Sequence, residues 1–155
     1  MYHRSVLLTE SVDGLAIRPD GIYVDATFGG GGHAGEILRR LTSGKLYAFD
    51  QDEEAMANKP DDPRLILVNN NFRHIRNFLK LYRAIPVDGI LADLGISSHQ
   101  IDTAGRGFST RFDGELDMRM DRRKTRSAQE VVNTYPEEKL ARIFRDYGEI
   151  RNAAR

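Results

Sequence analysis

Ile22-Tyr23-Val24-Asp25-Ala26-Thr27-Phe28-Gly29-Gly30-Gly31-Gly32-His33-Ala34-Gly35 begins as an apolar run and passes through repeated glycine into a helical pattern. Residues 22–28 follow the turn signal Pro19-Asp20-Gly21 and read as a strand. Ala34–Leu41 reads as a helix leaving the loop, with Ile37, Leu38 and Leu41 on one face. Glycine lets the main chain take positive φ and lets a ligand lie against it without interference from Cβ. Gly30-x-Gly32-x-x-Gly35 satisfies the spacing of a dinucleotide fingerprint.

Three further apolar runs lie downstream. Lys45–Asp50 is entered through Ser43-Gly44, Leu65–Asn69 through Asp61-Asp62-Pro63, and Val87–Leu94 through Pro86. Each is apolar on both faces, as parallel strands buried beneath helices are. Between them, Ile75, Phe78, Leu79 and Tyr82 fall at i, i+3, i+4 and i+7, which predicts a helix over 73–83. Segment 53–59 is a less regular helical stretch. This alternation predicts an α/β fold, a Rossmann-like doubly wound parallel sheet. Right-handed crossovers run the first three strands in one direction and return the fourth to the other side of the first. The glycine loop and the loop at Asp93 should therefore face one crevice.

The chain has 155 residues, suited to one compact core, with 23 basic and 23 acidic side chains. Any basic surface must then be local. The absence of cysteine excludes a disulfide framework, a thiolate zinc site and a cysteine nucleophile. His3, His33, His74 and His99 lack ligand spacing, so no essential metal is expected, and no Ser–His–acid set is placed for acyl transfer. No stretch approaches the ~20 apolar residues that span a bilayer, and a cytoplasmic protein without a membrane partner is expected.

Asp50, ending the second strand, stands where an acid would bind ribose hydroxyls. Both NAD and S-adenosylmethionine present such a diol, and a ligand-free glycine turn is the plainer alternative. Asp25 bears on the choice. Helix-terminal N–H groups at a dinucleotide site meet a pyrophosphate, beside which a carboxylate is unhelpful. S-adenosylmethionine instead carries a sulfonium and an ammonium group, so Asp25 favours it over the NAD of an oxidoreductase. A turn-capping role for Asp25 is the alternative.

Beyond Ser98 the pattern changes. Gly105–Arg126 is rich in glycine and charge and has no period, as in a long functional loop or a disordered segment. Ser127-x-x-Glu130 and Thr134-x-x-Glu137 have capping-box spacing and predict two helices, with Pro136 acceptable in a first turn. Leu140, Ile143, Phe144 and Tyr147 form an apolar stripe on the second. Four strands leave an edge uncovered beside the fourth. The remaining fold is expected either to be missing from the chain or to come from a second copy in a homodimer.

Several motifs resemble one family in order and spacing. They are His3-x-Ser5-Val6-Leu7-Leu8, Asp25-x-Thr27-Phe28-Gly29-x-Gly31-Gly32-His33, Asp50-x-Asp52 and Asp93-Leu94-Gly95-Ile96-Ser97-Ser98-x-Gln100. Gly105-x-Gly107-Phe108-Ser109 and Leu116-Asp117-Met118-Arg119-Met120 extend the match through essentially the whole chain. Together they resemble the bacterial ribosomal RNA small subunit methyltransferase H family, also called MraW. The resemblance implies a class I S-adenosylmethionine-dependent enzyme that methylates N4 of a cytidine in small-subunit ribosomal RNA. It further implies that Gly31, Gly32 and His33 line the cofactor, that Asp50 holds its ribose, that Phe72 lies near the adenine, and that Asp93 and Gln100 complete the site. On the residues alone, Phe72 could equally be a core aromatic, and His33 a helix cap or a packed ring. Members are longer, with a helical insertion and further strands. The expected organisation is therefore a cofactor-binding core at 1–100 and a substrate-facing loop with the start of the insertion at 101–155. A non-catalytic fragment that binds cofactor or RNA is the alternative.

The exocyclic amine of cytosine is a poor nucleophile because its lone pair is delocalised into the ring. Asp93, ending the fourth strand, is the candidate acceptor for an amino proton, with Ser97 and Ser98 orienting the base; Asp93 contacting only the cofactor is the alternative. Arg106, Arg111 and Arg119, with Arg122, Arg123, Lys124 and Arg126, could meet RNA phosphates while interleaved phenylalanines stack on a base. Asp113, Glu115, Asp117 and Asp121 dilute that charge, and an ordinary solvated loop fits the composition as well.

Overall fold

The computed structural model describes residues 5–153, so His3 of the N-terminal motif lies outside the described residues. The chain forms two compact units, Met1–Ser97 and Ser98–Arg155. In the first, β1 (Ile22–Asp25), β2 (Lys45–Asp50), β3 (Leu65–Asn69) and β4 (Gly89–Leu91) make one parallel sheet in the order β3-β2-β1-β4. This is the expected topology, with the switch point between β1 and β4. The helices are α1 (Leu8–Gly14), α2 (Gly32–Arg40) and α3 (Ile75–Leu81), with 3-10 turns at Glu53–Asn58 and Phe72–His74.

Strand alternation sorts the core into two layers. Tyr23, Leu46, Ala48, Leu65 and Leu91 pack with Val12, Ala34, Ile37 and Leu38, so α1 and α2 cover one face. Val24, Tyr47, Phe49 and Val68 face the other way, against Leu79, Phe78 and Ile75 of α3. Helices thus cover both faces of the Rossmann-like sheet. Full burial of a residue such as Ile37 or Phe49 stabilises the fold by about 1.5–3 kcal/mol. Ring contacts extend the α3 layer, with Phe49–Phe78 centroids 5.9 Å apart and Tyr47–Tyr82 centroids 5.5 Å apart. An ion pair of 2.6 Å between Arg40 and Asp13 ties α2 to α1.

Two strands are shorter than the sequence predicts, for one reason. Past Asp25 the backbone divides its bonding: the Ala26 amide donates to the Leu91 carbonyl (2.8 Å) and the Phe28 amide to the Phe49 carbonyl (2.9 Å). The chain therefore leaves the ladder between β2 and β4, and no regular pairing runs to Phe28 or Leu94. As an edge strand paired, among the described residues, with β1 alone, β4 is not apolar-buried on both faces; Ile90 is 53% exposed.

The second unit contains α4 (Ser98–Asp102), a 3-10 turn at Ala104–Arg106, α5 (Ala128–Thr134) and α6 (Glu137–Asp146). Between residues 107 and 127 the backbone follows a course set by polar contacts rather than by helix or strand. Met118 N donates to the Arg106 carbonyl (3.0 Å), Ala128 N to that of Asp117 (2.8 Å) and Gln129 N to that of Leu116 (2.7 Å). Gly107 adopts φ 69°, and a Cβ there would lie 2.5 Å from the Glu115 carbonyl oxygen and 2.6 Å from the Asp117 nitrogen. The close backbone crossing thus requires glycine.

The two predicted caps fare differently. Ser127 accepts from the Glu130 amide at 3.2 Å and caps α5. Thr134 does not cap α6: it remains in the last turn of α5, where its hydroxyl donates to the Glu130 carbonyl at 2.7 Å, and α6 starts behind Pro136. The α6 stripe is buried only in part, with Leu140 and Ile143 half-buried and Phe144 exposed. Tyr147 is 86% exposed and lies just past the helix. Among the described residues no helix is long and apolar enough to cross a membrane.

Candidate functional site

The fork between β2 and β4 opens at the carboxyl ends of the strands, where open parallel sheets bind ligands. Its floor is the glycine loop. Gly31 precedes α2 with φ 78°, and a Cβ on it would lie 3.0 Å from the Phe28 ring. The turn is closed by the Gly31 amide donating to the Phe28 carbonyl at 2.8 Å. Gly32 is held against the Ser5 side chain.

Asp50 pins this loop. Its Oδ2 accepts from the Gly29 amide at 2.8 Å and its Oδ1 from the Asp52 amide at 2.9 Å. A carboxylate has about four lone-pair sites, so each oxygen can still accept from a vicinal hydroxyl. Burial pushes the Asp50 carboxyl up from its ordinary range, opposed by the amide bonds.

Asp25 is fully buried at the end of β1. Its Oδ1 accepts from the Thr27 amide at 3.0 Å, while Oδ2 has no hydrogen-bond partner among the described residues. Burial pushes its pKa up to about 6; the Thr27 bond and the His33 ring pull it down, and the Asp50 and Asp93 charges push it further up. The Thr27 hydroxyl accepts from the Asp93 amide at 2.7 Å, tying the loop after β4 to the end of β1. Asp93 is exposed at the crevice.

His33 is buried in the first turn of α2, and its Nε2 lies 3.1 Å from the Val6 carbonyl. A carbonyl can only accept, so Nε2 carries the proton and donates. Phe72 is 42% exposed at the start of the turn after β3, which removes the core-aromatic alternative. Contacts that no motif marks complete the rim: Asn58 Nδ2 donates to the Gly29 carbonyl (3.1 Å) and Asn71 Nδ2 to Gln51 Oε1 (2.7 Å). Spacing alone could not have found them, because each joins segments far apart in the chain.

The remaining expected residues are scattered differently. Ser97 ends the first unit; Ser98 and buried Gln100 belong to α4 of the second. Arg106, expected among the cations facing substrate, is instead 1% exposed, and its Nη2 donates to the Arg119 carbonyl at 2.9 Å. A guanidinium so enclosed stitches the loop and does not meet phosphates. Arg119 is also committed internally, through a two-pronged pair with Asp117 (2.7 and 2.9 Å) and a bond to the Lys124 carbonyl. That pair holds the Asp117 carboxyl down at about 2. Arg111 stays exposed, paired with Asp102 at 3.0 Å and with its guanidinium carbon 5.8 Å from the centre of the Phe112 ring.

Three carboxylates near one glycine loop repel a pyrophosphate and attract a cation carrying a ribose. Among the described residues no three histidine, aspartate or glutamate side chains gather as a metal site.

Comparison with known proteins gives this geometry a lineage: the model of the MraW methylase family matches residues 1–155. The chain belongs to the MraW methylase family. Curated relatives named ribosomal RNA small subunit methyltransferase H agree. The protein of Flavobacterium johnsoniae is 62% identical over 98% of this chain and 51% of its own length. That of Phocaeicola vulgatus is 59% identical over 99% of this chain and 51% of its own. A solved structure titled as an rRNA methylase from Streptococcus thermophilus aligns at 25% identity and a TM-score of 0.41, covering 50% of each chain. This MraW-family chain spans about half the length of the curated relatives it matches.

Proposed function

We propose that this chain carries the methyl-donor site of an S-adenosylmethionine-dependent methyltransferase, whose target is N4 of a cytidine in small-subunit ribosomal RNA. The observation carrying the donor reading is Asp25 Oδ2, a buried carboxylate oxygen without a partner beside the glycine loop. Such an atom is unfavourable next to phosphate and fits a cationic ligand. When bound, the donor supplies an electrophilic methyl group on a sulfonium centre. Gly31, Gly32 and His33 would form its floor, Asp50 would hold the ribose and Phe72 would cover the adenine, with Asp93 and Gln100 completing the site. The RNA target rests on the family resemblance and on the names of the relatives.

Asp93 would accept a proton from the cytosine amine and so localise its lone pair, with Ser97 and Ser98 orienting the base. Aligning the reactants contributes on the order of 7 kcal/mol or more in such sites. Of the proposed phosphate-facing arginines, Arg111 keeps an exposed guanidinium. An Asp93→Asn change in the full-length protein should lower single-turnover methylation about 100-fold with little change in donor affinity. Weaker donor binding with an intact single-turnover rate would reduce Asp93 to a cofactor contact.

Since the chain spans half the length of its relatives, donor binding without turnover is the second reading for these 155 residues. Calorimetric titration with S-adenosylmethionine and with NAD tests the donor assignment. Saturable binding of S-adenosylmethionine alone is expected, and NAD binding would overturn it. Methyl transfer by this chain and by a full-length form, assayed side by side, separates an enzyme from a binding module.

A further inference from the structure

The crevice holds a group whose charge its surroundings do not support. Asp25 is wholly buried at the end of β1, one oxygen accepts a single amide, and the other accepts nothing from the described residues. The groups acting on it are His33 from α2, Asp50 from the end of β2 and Asp93 from the loop after β4. Of these, His33 is the basic group, and its Nε2–H already points to the Val6 carbonyl. The two carboxylates oppose ionisation. A cation entering the crevice reverses this balance, because an opposite charge within a few ångströms favours the ionised carboxyl.

We propose that Asp25 couples donor binding to proton release in mildly acidic solution: there it is protonated in the ligand-free site, and it ionises opposite the cationic donor. The inference rests on the S-adenosylmethionine reading. The Asp25 O–H bond breaks, its electron pair stays on the carboxylate, and the proton passes to solvent buffer. The donor then meets a counter-charge that, in acidic solution, the ligand-free protein keeps neutral. Asp25 is here a positioning residue, selecting cationic ligands over neutral nucleosides of the same shape.

With its pKa raised to about 6, the empty site holds the proton below that pH and has lost it above. Proton release is therefore close to one per donor bound at pH 5 and near zero at pH 8. Affinity should be about tenfold weaker at pH 5 than at pH 8. Calorimetry of the chain in two buffers of different ionisation enthalpy reads the proton count directly. Infrared difference spectra should lose a protonated-carboxyl C=O band on donor addition at pH 5, a readout specific to a carboxyl group. In Asp25→Asn both signals should vanish. No binding at pH 8 would remove the donor reading itself. Binding at pH 8 with no proton release and no carboxyl band change at pH 5 would overturn the coupling alone, as would proton release that persists in Asp25→Asn. Should that variant not fold, the two wild-type measurements decide.

Discussion

Asp50→Ala should weaken S-adenosylmethionine binding by about 100-fold or more. Each hydrogen bond to a charged group contributes about 1.5–3 kcal/mol, and a carboxylate spanning a ribose diol makes two. At RT ln 10 of about 1.4 kcal/mol, even the lower estimate gives roughly two powers of ten. A second effect adds to it. The Gly29 and Asp52 amides lose their acceptor together, so the loop loses its anchor as well as its ligand contact. Asp50→Asn keeps the shape and one acceptor and should fall between. Calorimetric affinities within a few-fold of wild type for Asp50→Ala would place the ribose elsewhere.

The second large effect appears without any ligand. A buried acid with a raised pKa binds its proton more tightly folded than unfolded, so wild-type stability falls as pH rises from about 4 to above 6. The shift from 3.8 to about 6 corresponds to about 3 kcal/mol of lost stability on the alkaline side. Asparagine does not titrate. The unfolding free energy of Asp25→Asn relative to wild type should therefore grow by about 2 kcal/mol between pH 4 and pH 8, the rest of the change lying below pH 4, and level off above pH 7. The amide's own burial shifts both ends equally and drops out of that difference. Urea denaturation of ligand-free protein at the two pH values measures it, and a difference that stays flat would mean that Asp25 ionises freely in the empty fold.

How much of this was legible in the chain varied with how local the cause was. β2 and β3 keep their predicted bounds because each is an unbroken apolar run with a turn signal before it. β4 was legible in position but not in length, since its pairing ends where β1 forks away, which is a property of the partner strand. α1 escaped notice because it has one buried residue, Val12, and enters through Leu7, which offers no capping side chain. Thr134 had capping-box spacing, yet its hydroxyl found a carbonyl one turn back. The glycine loop and Asp50 were readable because loop and acid each end a strand. The orphaned oxygen of Asp25 and the burial of Arg106 depend on what surrounds them in space, and no spacing rule encodes that.

The division of backbone bonds after Asp25, with Ala26 tied to β4 and Phe28 tied to β2, has an evolutionary implication. Main-chain bonds are available to almost any sequence, so the location of the crevice is insulated from mutation. Side chains around it can change and reshape what it grips without removing the main-chain bonds that set the place of gripping.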